Sequence, residues 1–307
     1  MIELSLAELI AAGLKPVKAK TLFRSCHQLF DFPSPLTIEQ VEAEAKVKKV
    51  RFRLADGLAG ESVYMDQGPD KKFVCVSSQV GCPIGCRFCA TGRMGFKRNL
   101  TVSEIVAQVY HFAKEEKISN LVFMGMGEPF LNYGQVLKAI GLLNSELGQN
   151  IAARKIVVST IGIVTGIKQF GSELQKLKLA WSLAAPDDKL RRQLVPYPTL
   201  PSIAETINAI NDYQQKTKQR VTIEYVLLKG VNNSPEQLTE LDRLARTIDS
   251  HINLIEYNPS PGLDFAAGDV DRARLLLKKR KANVTVRRSL GKEIAAACGQ
   301  LGSVMIK

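Results

Sequence analysis

The stretch Cys75-Val-Ser-Ser-Gln-Val-Gly-Cys82-Pro-Ile-Gly-Cys86-Arg-Phe-Cys89 brings four of the chain's six cysteines close together. Its last three cysteines have the spacing C-x3-C-x2-C, and two glycines in the same loop let the backbone turn tightly around a cofactor. Three thiolates can bind three irons of a [4Fe–4S] cluster and leave the fourth iron open to a small molecule. The spacing therefore predicts an iron–sulfur site with Cys82, Cys86 and Cys89 as ligands.

Two other interpretations of this cluster stay open on the residues alone. A structural zinc site could use Cys75 as its fourth ligand, and buried thiols with no shared role are the second alternative. Zinc sites usually combine two C-x2-C or Cys/His pairs. Here there is a single C-x2-C, and the nearest histidine is His111. The spacing favours the iron–sulfur cluster over both alternatives.

From about residue 73 onward, strand-like runs alternate with helix-length amphipathic segments. We predict strands at residues 74–77, 121–125, 156–159, 179–183, 221–226, 252–256 and 284–287. We predict helices at residues 102–115, 134–147, 203–216 and 234–247. This alternation indicates an α/β protein with a parallel sheet, either open or closed into a partial barrel. Such sheets place their functional sites at the carboxyl ends of the strands.

The first 57 residues predict a small helical accessory domain. Helices are expected at residues 4–14 and 18–30, and a third from the N-cap candidate Thr37. Two strand-like stretches follow, at residues 49–55 and 61–65, on either side of the Asp56-Gly57 turn. We therefore expect a domain of residues 1–57 and a core of residues 58–307, whose C-terminal extension carries Cys298.

Composition restricts the classes of function. With 45% hydrophobic and 23% charged residues, the 307-residue chain can bury a core. Its 42 Lys and Arg exceed its 30 Asp and Glu, and the net charge of +12 favours an anionic partner such as nucleic acid. No apolar run approaches the ~18 residues of a membrane span. The first residues lack a basic leader, so we expect a cytoplasmic protein without membrane contact.

Several motifs in order along the chain make it recognisable. The C-x3-C-x2-C spacing with an aromatic residue before the last cysteine resembles the signature of radical S-adenosylmethionine (SAM) enzymes. Over residues 58–301 the chain resembles the RlmN/Cfr family, which methylates adenine in RNA. Beyond the cysteine stretch, the matching motifs are Phe96-Lys-Arg-Asn-Leu-Thr101, Phe123-Met-Gly-Met-Gly-Glu-Pro129, Ala153-Arg-Lys-Ile-Val-Val-Ser-Thr160, Glu224-Tyr-Val, Asn258-Pro and Ala297-Cys-Gly-Gln-Leu301.

The resemblance implies a fold and two cofactors. The fold is a partial (β/α)6 barrel of the TIM type, and the cofactors are SAM and one [4Fe–4S] cluster per chain. Gly127 and Glu128 match family positions that contact SAM, and so do Ser159, Ser182 and Asn258. On the residues alone, the last three could instead be ordinary polar residues that cap strand ends.

The resemblance also implies a role for two further cysteines. In the family mechanism Cys298 accepts a methyl group from one SAM, and a radical derived from a second SAM takes hydrogen from that methyl. The resulting carbon radical adds to the adenine. Cys75 then attacks the sulfur of Cys298 and forms a disulfide, while Glu61 matches the proton acceptor. Without the resemblance, both cysteines could be small buried hydrophobes and Glu61 a solvated glutamate.

The implied substrate is ribosomal RNA, with transfer RNA as a second candidate and adenine C2 as the expected carbon. The alternatives are C8 methylation, as in Cfr-like enzymes, and an iron–sulfur protein that binds RNA or senses redox state without methylating. The expected partners are RNA and an electron donor such as flavodoxin or ferredoxin, and the chain is expected to be a monomer. Basic runs at residues 46–53 and 278–292 agree with an RNA partner. Ala184 and Ser260 depart from the family pattern, which has histidine and a bulky aromatic residue there.

Overall fold

Ten strands form one sheet in the computed structural model, which describes residues 2–173 and 176–303. The sheet order is β1-β2-β3-β4-β7-β8-β9-β10-β11-β12. Its strands are β1 Thr37–Glu44, β2 Val47–Arg53, β3 Ala59–Asp66, β4 Lys72–Cys75, β7 Asn120–Phe123, β8 Ile156–Thr160, β9 Lys178–Ser182, β10 Val221–Leu227, β11 Ser250–Glu256 and β12 Val284–Arg287. The short strands β5 Gln79–Val80 and β6 Arg98–Asn99 form a separate pair.

From β4 to β12 all neighbouring strands are parallel, whereas β1, β2 and β3 add antiparallel strands at one edge. Within the described residues the two outer strands, β1 and β12, do not pair with each other, so the sheet is open. Each parallel strand before β12 is followed by a helix that returns the chain to the next strand. This arrangement confirms the predicted partial (β/α)6 barrel.

The helices follow the strands in the predicted order. They are α1 Leu6–Ala11, α2 Pro16–Gln28, α3 Ala90–Arg93, α4 Val102–Ala113, α5 Tyr133–Asn144, α6 Val164–Glu173, α7 Asp188–Leu194, α8 Ile203–Thr217, α9 Pro235–Ala245 and α10 Val270–Lys279. Capping boxes set where several of them begin: Thr101 with Glu104 at α4 and Ser202 with Glu205 at α8. No helix in the described ranges combines the length and apolar character that crossing a bilayer requires.

The parallel strands are apolar along most of their length because helices and barrel interior cover both faces. In β8, Ile156 and Val158 are fully buried, and the strand then ends on Ser159 and Thr160. β9 likewise ends on Ser182 after the buried Trp181. Polar residues are therefore concentrated at the carboxyl edge of the sheet, where the sequence predicts the site.

Two local predictions are wrong. Thr37 begins strand β1, not a helix, because residues 37–44 pair along their length with β2 and the Lys49–Glu42 ion pair, 2.7 Å, joins the two strands. A helix prediction based on neighbouring residues cannot take such contacts between strands into account. The sequence also predicts a short helix at residues 292–297, just before Cys298, but residues 292–295 form a turn. The domain boundary at residue 57 falls between β2 and β3, which pair in antiparallel register, and stays a prediction.

Candidate active site

Two adjoining cavities open at the carboxyl edge of the parallel strands. We call the first the cluster cleft; it measures about 740 Å³ and is lined by Cys82, Cys86, Cys89, Glu128, Ser159 and Ser182, among others. We call the second the thiol chamber; it measures about 730 Å³, and its lining includes Cys75, Met65, Arg287 and Arg288. Cys298 and Cys89 line both cavities. The structure thus brings five of the six cysteines to one region.

The loop that carries Cys82, Cys86 and Cys89 is tightly turned. Gly81 and Gly85 both have φ of +71°, and a Cβ at Gly81 would lie 1.7 Å from the carbonyl oxygen of Gly95. Only glycine fits such a close approach at positive φ. The close approach of the Gly95 carbonyl therefore explains why this loop needs glycine at position 81.

Backbone amides surround the cysteine sulfurs. Burial raises the pKa of Cys82 to about 12, and the amides of Ile84 and Gly85 oppose that shift. Burial also raises the pKa of Cys89, again opposed by amides, those of Thr91 and Gly92. Amide donors aimed at sulfur stabilise thiolates, and thiolates are what an iron–sulfur cluster binds. The donor set and its surroundings fit a [4Fe–4S] cluster.

The position of Cys75 favours an iron–sulfur cluster over a structural zinc site. Cys82 and Cys86 line only the cluster cleft, whereas Cys75 lines only the thiol chamber. Cys75 is therefore not placed as a fourth ligand beside the other three. In the described residues, no three His, Cys, Asp or Glu side chains converge on the position of a single ion. Thiolates of a cluster each bind a different iron, so the spread of the three cysteines around the cleft agrees with it.

Glu128 is held rigidly in the wall of the cluster cleft. Its Oε1 accepts the Phe130 N–H at 3.1 Å, and its Oε2 accepts the Ile161 N–H at 2.9 Å. Burial raises the pKa of Glu128 to about 7. A cationic amino group in the cleft would favour the ionised carboxylate. The neighbouring Gly127 has φ of +100°, and a Cβ there would lie 2.6 Å from Gln79.

The other predicted SAM contacts lie at two different places. Ser159 and Ser182 face the cleft from adjacent strands, and their hydroxyl oxygens are 2.9 Å apart. Asn258 lines neither cavity; its Nδ2 donates to the carbonyl of Cys298 at 3.2 Å, and its buried Oδ1 has no partner. In this structure Asn258 therefore supports the Cys298 backbone.

Glu224 is a cleft residue to which the sequence assigned no role. It lies beside Ser182 on the neighbouring strand, and its Oε2 accepts a hydrogen bond of 2.8 Å from Asn253. Burial raises its pKa. An acidic residue within the otherwise apolar strand β10 was the signal that could have revealed it.

Cys298 lies in a C-terminal segment, residues 298–302, that is held against the cluster loop. The Ala90 N–H donates to the Gly299 carbonyl at 2.8 Å, and the Thr91 hydroxyl donates to the Leu301 carbonyl at 2.7 Å. Both donors follow Cys89 directly in the chain. The loop that presents the cluster ligands thus also positions Cys298.

Cys75 and Arg287 share the thiol chamber with Cys298. Burial raises the pKa of Cys75 to about 12 and the charge of Arg287 opposes the shift. Arg287 belongs to the basic run that agrees with an RNA partner, but its side chain is half-buried and its Nη1 contacts Met124 Sδ at 3.2 Å. Arg288 is exposed and pairs with Asp271 at 2.7 Å. Both arginines therefore line the chamber, Arg287 as a half-buried side chain and Arg288 as an exposed one.

Glu61 lies next to the C-terminal segment but lines neither cavity. It is buried in β3, and its Oε2 accepts the Gly302 N–H at 2.8 Å. Its Oε1 is buried without a partner, and burial raises its pKa. Glu61 thus contacts the segment that bears Cys298 from the side of β3.

Ala184 and Ser260, the two residues that depart from the family pattern, line neither cavity. Ala184 is buried, and its carbonyl accepts a hydrogen bond of 2.9 Å from Asn232. The hydroxyl oxygen of Ser260 is buried without a partner. Cys26 is buried on α2 and lines neither cavity.

Comparison with known proteins agrees with this geometry. The model of the radical SAM superfamily matches residues 76–241. A "Ribosomal RNA large subunit methyltransferase N" of Nitrosopumilus maritimus is 44% identical, over 85% of this chain and 78% of that protein. A "Dual-specificity RNA methyltransferase RlmN" of Anaeromyxobacter dehalogenans is 41% identical, over 97% of this chain and 89% of its own length. The chain belongs to the RlmN family of radical SAM enzymes.

A solved structure supports the same assignment. A radical SAM methyltransferase from Sphaerobacter thermophilus is 39% identical and superposes with a TM-score of 0.90 over 99% of both chains. Streptococcus suis SuiB, at 16% identity and a TM-score of 0.52, shares the fold alone. Enzymes of the RlmN family use a [4Fe–4S] cluster and SAM, which confirms both predicted cofactors.

Proposed function

We propose that this protein methylates C2 of an adenine in RNA, with Cys298 as the carrier of the methyl group. The observation that carries the proposal is the position of Cys298 between the two cavities. On one side lie the cluster cysteines and Glu128, and on the other lies Cys75. A thiol at that junction is in place to receive a group in the cluster cleft and deliver it to the thiol chamber.

Adenine C2 is not nucleophilic and does not attack the methyl of a sulfonium, so polar methyl transfer alone is insufficient. When bound, the cluster and SAM supply the methyl group and the 5′-deoxyadenosyl radical that abstracts hydrogen. Cys82, Cys86 and Cys89 would hold the cluster. Glu128, Ser159 and Ser182, which line the same cleft, would bind SAM, with the Glu128 carboxylate on the amino group.

Cys298 and Cys75 then complete the chemistry of this chain. After the Cys298 methylene carbon has bonded to adenine C2, the adduct would give up the C2 proton to a base and its unpaired electron to the iron–sulfur electron-transfer chain, which restores the aromatic ring. The thiolate of Cys75 then attacks the sulfur of Cys298. The carbon–sulfur bond breaks, the carbon keeps the electron pair and takes up a proton, and a Cys75–Cys298 disulfide forms. A dithiol reductant returns both cysteines to thiols.

Glu61 is our candidate for the group that removes the proton from adenine C2. Burial raises the pKa of its carboxyl group above the ordinary glutamate value, which makes the carboxylate a stronger base. Its contact with Gly302 places it beside the C-terminal segment. Access of the base to the adenine would require the segment or the nucleotide to approach Glu61, since Glu61 lines neither cavity here.

For the substrate we propose large-subunit ribosomal RNA, and transfer RNA as the second. The printed names of the relatives, which include "ribosomal RNA large subunit" and "dual-specificity", support this pair. The net charge of +12 suits a polyanion. We further propose that the protein acts as a monomer in the cytoplasm and that flavodoxin or ferredoxin supplies electrons.

Mass spectrometry of RNA tests this function directly. Ribosomal and transfer RNA from a strain lacking the gene is digested to nucleosides and compared with RNA from the parent strain. We expect 2-methyladenosine to disappear and to return when the gene is restored. Loss of 8-methyladenosine instead would assign the other carbon, and no change in either nucleoside would contradict RNA methylation.

A further inference from the structure

Arg191 is a buried charge that the proposed chemistry does not use. It lies on α7 with only 1% of its surface exposed. Its nearest carboxylate, in Asp188, is 3.7 Å away and points partly to solvent. Burying a guanidinium without a close ion pair is unfavourable unless hydrogen bonds compensate. The contacts of Arg191 therefore need an explanation.

Two backbone carbonyls take the place of an ion pair. Arg191 Nη1 donates to the carbonyl of Pro201 at 2.5 Å, and Nη2 donates to the carbonyl of Ile161 at 2.7 Å. Ile161 is the residue whose N–H donates to Glu128 Oε2 at 2.9 Å. Ile161 therefore links Arg191 to Glu128, since its carbonyl accepts from the guanidinium and its N–H donates to the carboxylate.

The turn after Ile161 shows why an anchor is needed there. Gly162 has φ of +110°, and a Cβ on it would lie 2.9 Å from Thr206 and 3.2 Å from Arg191 Nη2. Glycine is required for this close passage, but it also leaves the turn free to rotate. The Thr160 hydroxyl accepts the N–H groups of Gly162 and Ile163 at 3.1 and 3.3 Å, and the hydrogen bond from Arg191 to Ile161 holds the turn at its first residue.

Helix α7 also contacts the cluster loop. The Arg87 N–H, between two cluster cysteines, donates to the carbonyl of Leu194 at 2.9 Å. Arg191 thus belongs to an element that contacts both the loop holding the cluster and the turn holding Glu128. Its guanidinium contacts the turn that holds Glu128 but does not itself line the cluster cleft.

We propose that Arg191 is a positioning residue for SAM, which holds Ile161 so that the Ile161 N–H fixes the Glu128 carboxylate toward the amino group of SAM. The proposal rests on the proposed role of Glu128 in binding that amino group. Because Arg191 acts through Glu128, its removal should misplace SAM without removing any cluster ligand.

The test measures SAM binding to the protein with its cluster reconstituted under anaerobic conditions. For Arg191→Met we expect the dissociation constant of SAM to rise about tenfold, which corresponds to about 1.4 kcal/mol. Iron and sulfide content should equal the wild type. Without SAM, the EPR spectrum of the reduced cluster in Arg191→Met should match that of the wild type. With SAM added, the spectra of the two proteins should differ, a signature that a purely structural role would not produce.

Arg192→Met is the matched control, because Arg192 is exposed on the same helix. It should bind SAM as the wild type does. Arg191→Lys keeps one charge that can reach only one carbonyl, so we expect an intermediate constant. This variant also decides the question if Arg191→Met does not fold: wild-type affinity in Arg191→Lys would overturn the proposal.

Glu128→Gln distinguishes the two proposals from each other. If Glu128→Gln binds SAM normally, the role of Glu128 is wrong and the role of Arg191 falls with it. If Glu128→Gln weakens SAM binding but Arg191→Met does not, only the inference about Arg191 is wrong. In the double variant the Arg191 substitution should add no further loss, whereas additive losses would show that Arg191 acts independently of Glu128.

Discussion

The cluster cleft and the thiol chamber are equal in size but differ in how the chain builds them. The cleft is formed by contiguous motifs: one cysteine loop and the polar ends of neighbouring parallel strands. The chamber combines β3, β4 and β12 with a C-terminal segment that has no regular helix or strand. The three cluster ligands therefore come from one local stretch of sequence, whereas Cys75 and Cys298 of the chamber are more than 200 residues apart and meet only after folding.

The strongest test of this difference is Cys298→Ala, which should abolish RNA methylation and leave the cluster cleft intact. The substitution removes the only sulfur that our mechanism can methylate. Iron content, SAM binding and reductive cleavage of SAM to 5′-deoxyadenosine should persist. Cys26→Ala removes a buried cysteine outside both cavities and serves as the control. Methylation of RNA by Cys298→Ala over many turnovers would contradict the carrier role.

Cys75→Ala should stop the reaction one stage later. Without the attacking thiolate, the bond between Cys298 and the RNA cannot be resolved, so a covalent protein–RNA adduct should accumulate. Gel electrophoresis under denaturing conditions, followed by nuclease digestion and mass spectrometry, detects the adduct. Free methylated RNA at the wild-type rate would show that another group performs the resolution.

The same contrast explains what could be predicted from the sequence. The cluster ligands follow from the spacing of the cysteines, whereas Glu128 and the two serines were assigned by the family resemblance. Their meeting at one edge follows from the fold, because neighbouring parallel strands end there. Cys298 was found through its motif, but the hydrogen bonds that hold its segment, from Ala90 and Thr91 to Gly299 and Leu301, span about 210 residues and leave no local pattern. The basic run 278–292 did not show that Arg287 lines the chamber, since burial of a charge depends on tertiary packing.

Two variants of Glu61 separate its possible roles at the chamber. Glu61→Gln can still accept the Gly302 N–H but is no longer basic, whereas Glu61→Ala loses both properties. If Glu61 is the base, product release in Glu61→Gln should slow about a hundredfold while formation of the adduct continues. Single-turnover assays measure both steps. Normal release in Glu61→Gln together with a defect in Glu61→Ala would assign Glu61 to holding the C-terminal segment only.

The raised pKa of Cys75 predicts how adduct resolution depends on pH. With a pKa of about 12, Cys75 is protonated at neutral pH, so its thiolate fraction should grow about tenfold per pH unit. An adduct formed at low pH and then shifted to pH 7, 8 or 9 should resolve faster at each step. A rate that levels off below pH 8 would indicate that a group with a lower pKa, such as Glu61, controls release.

The smallest expected effect concerns the contact between the two regions, the hydrogen bond from Thr91 to Leu301. Thr91→Val keeps the shape of the side chain but leaves a buried carbonyl without its donor, which costs about 1–3 kcal/mol. Amide exchange in residues 298–302 should accelerate and methylation should fall several-fold, with iron content unchanged. Thr91→Ser retains the hydroxyl and should behave as the wild type. Loss of iron in Thr91→Val would place the effect at the adjacent Cys89, and the hydrogen bond to Leu301 would then not be what positions Cys298.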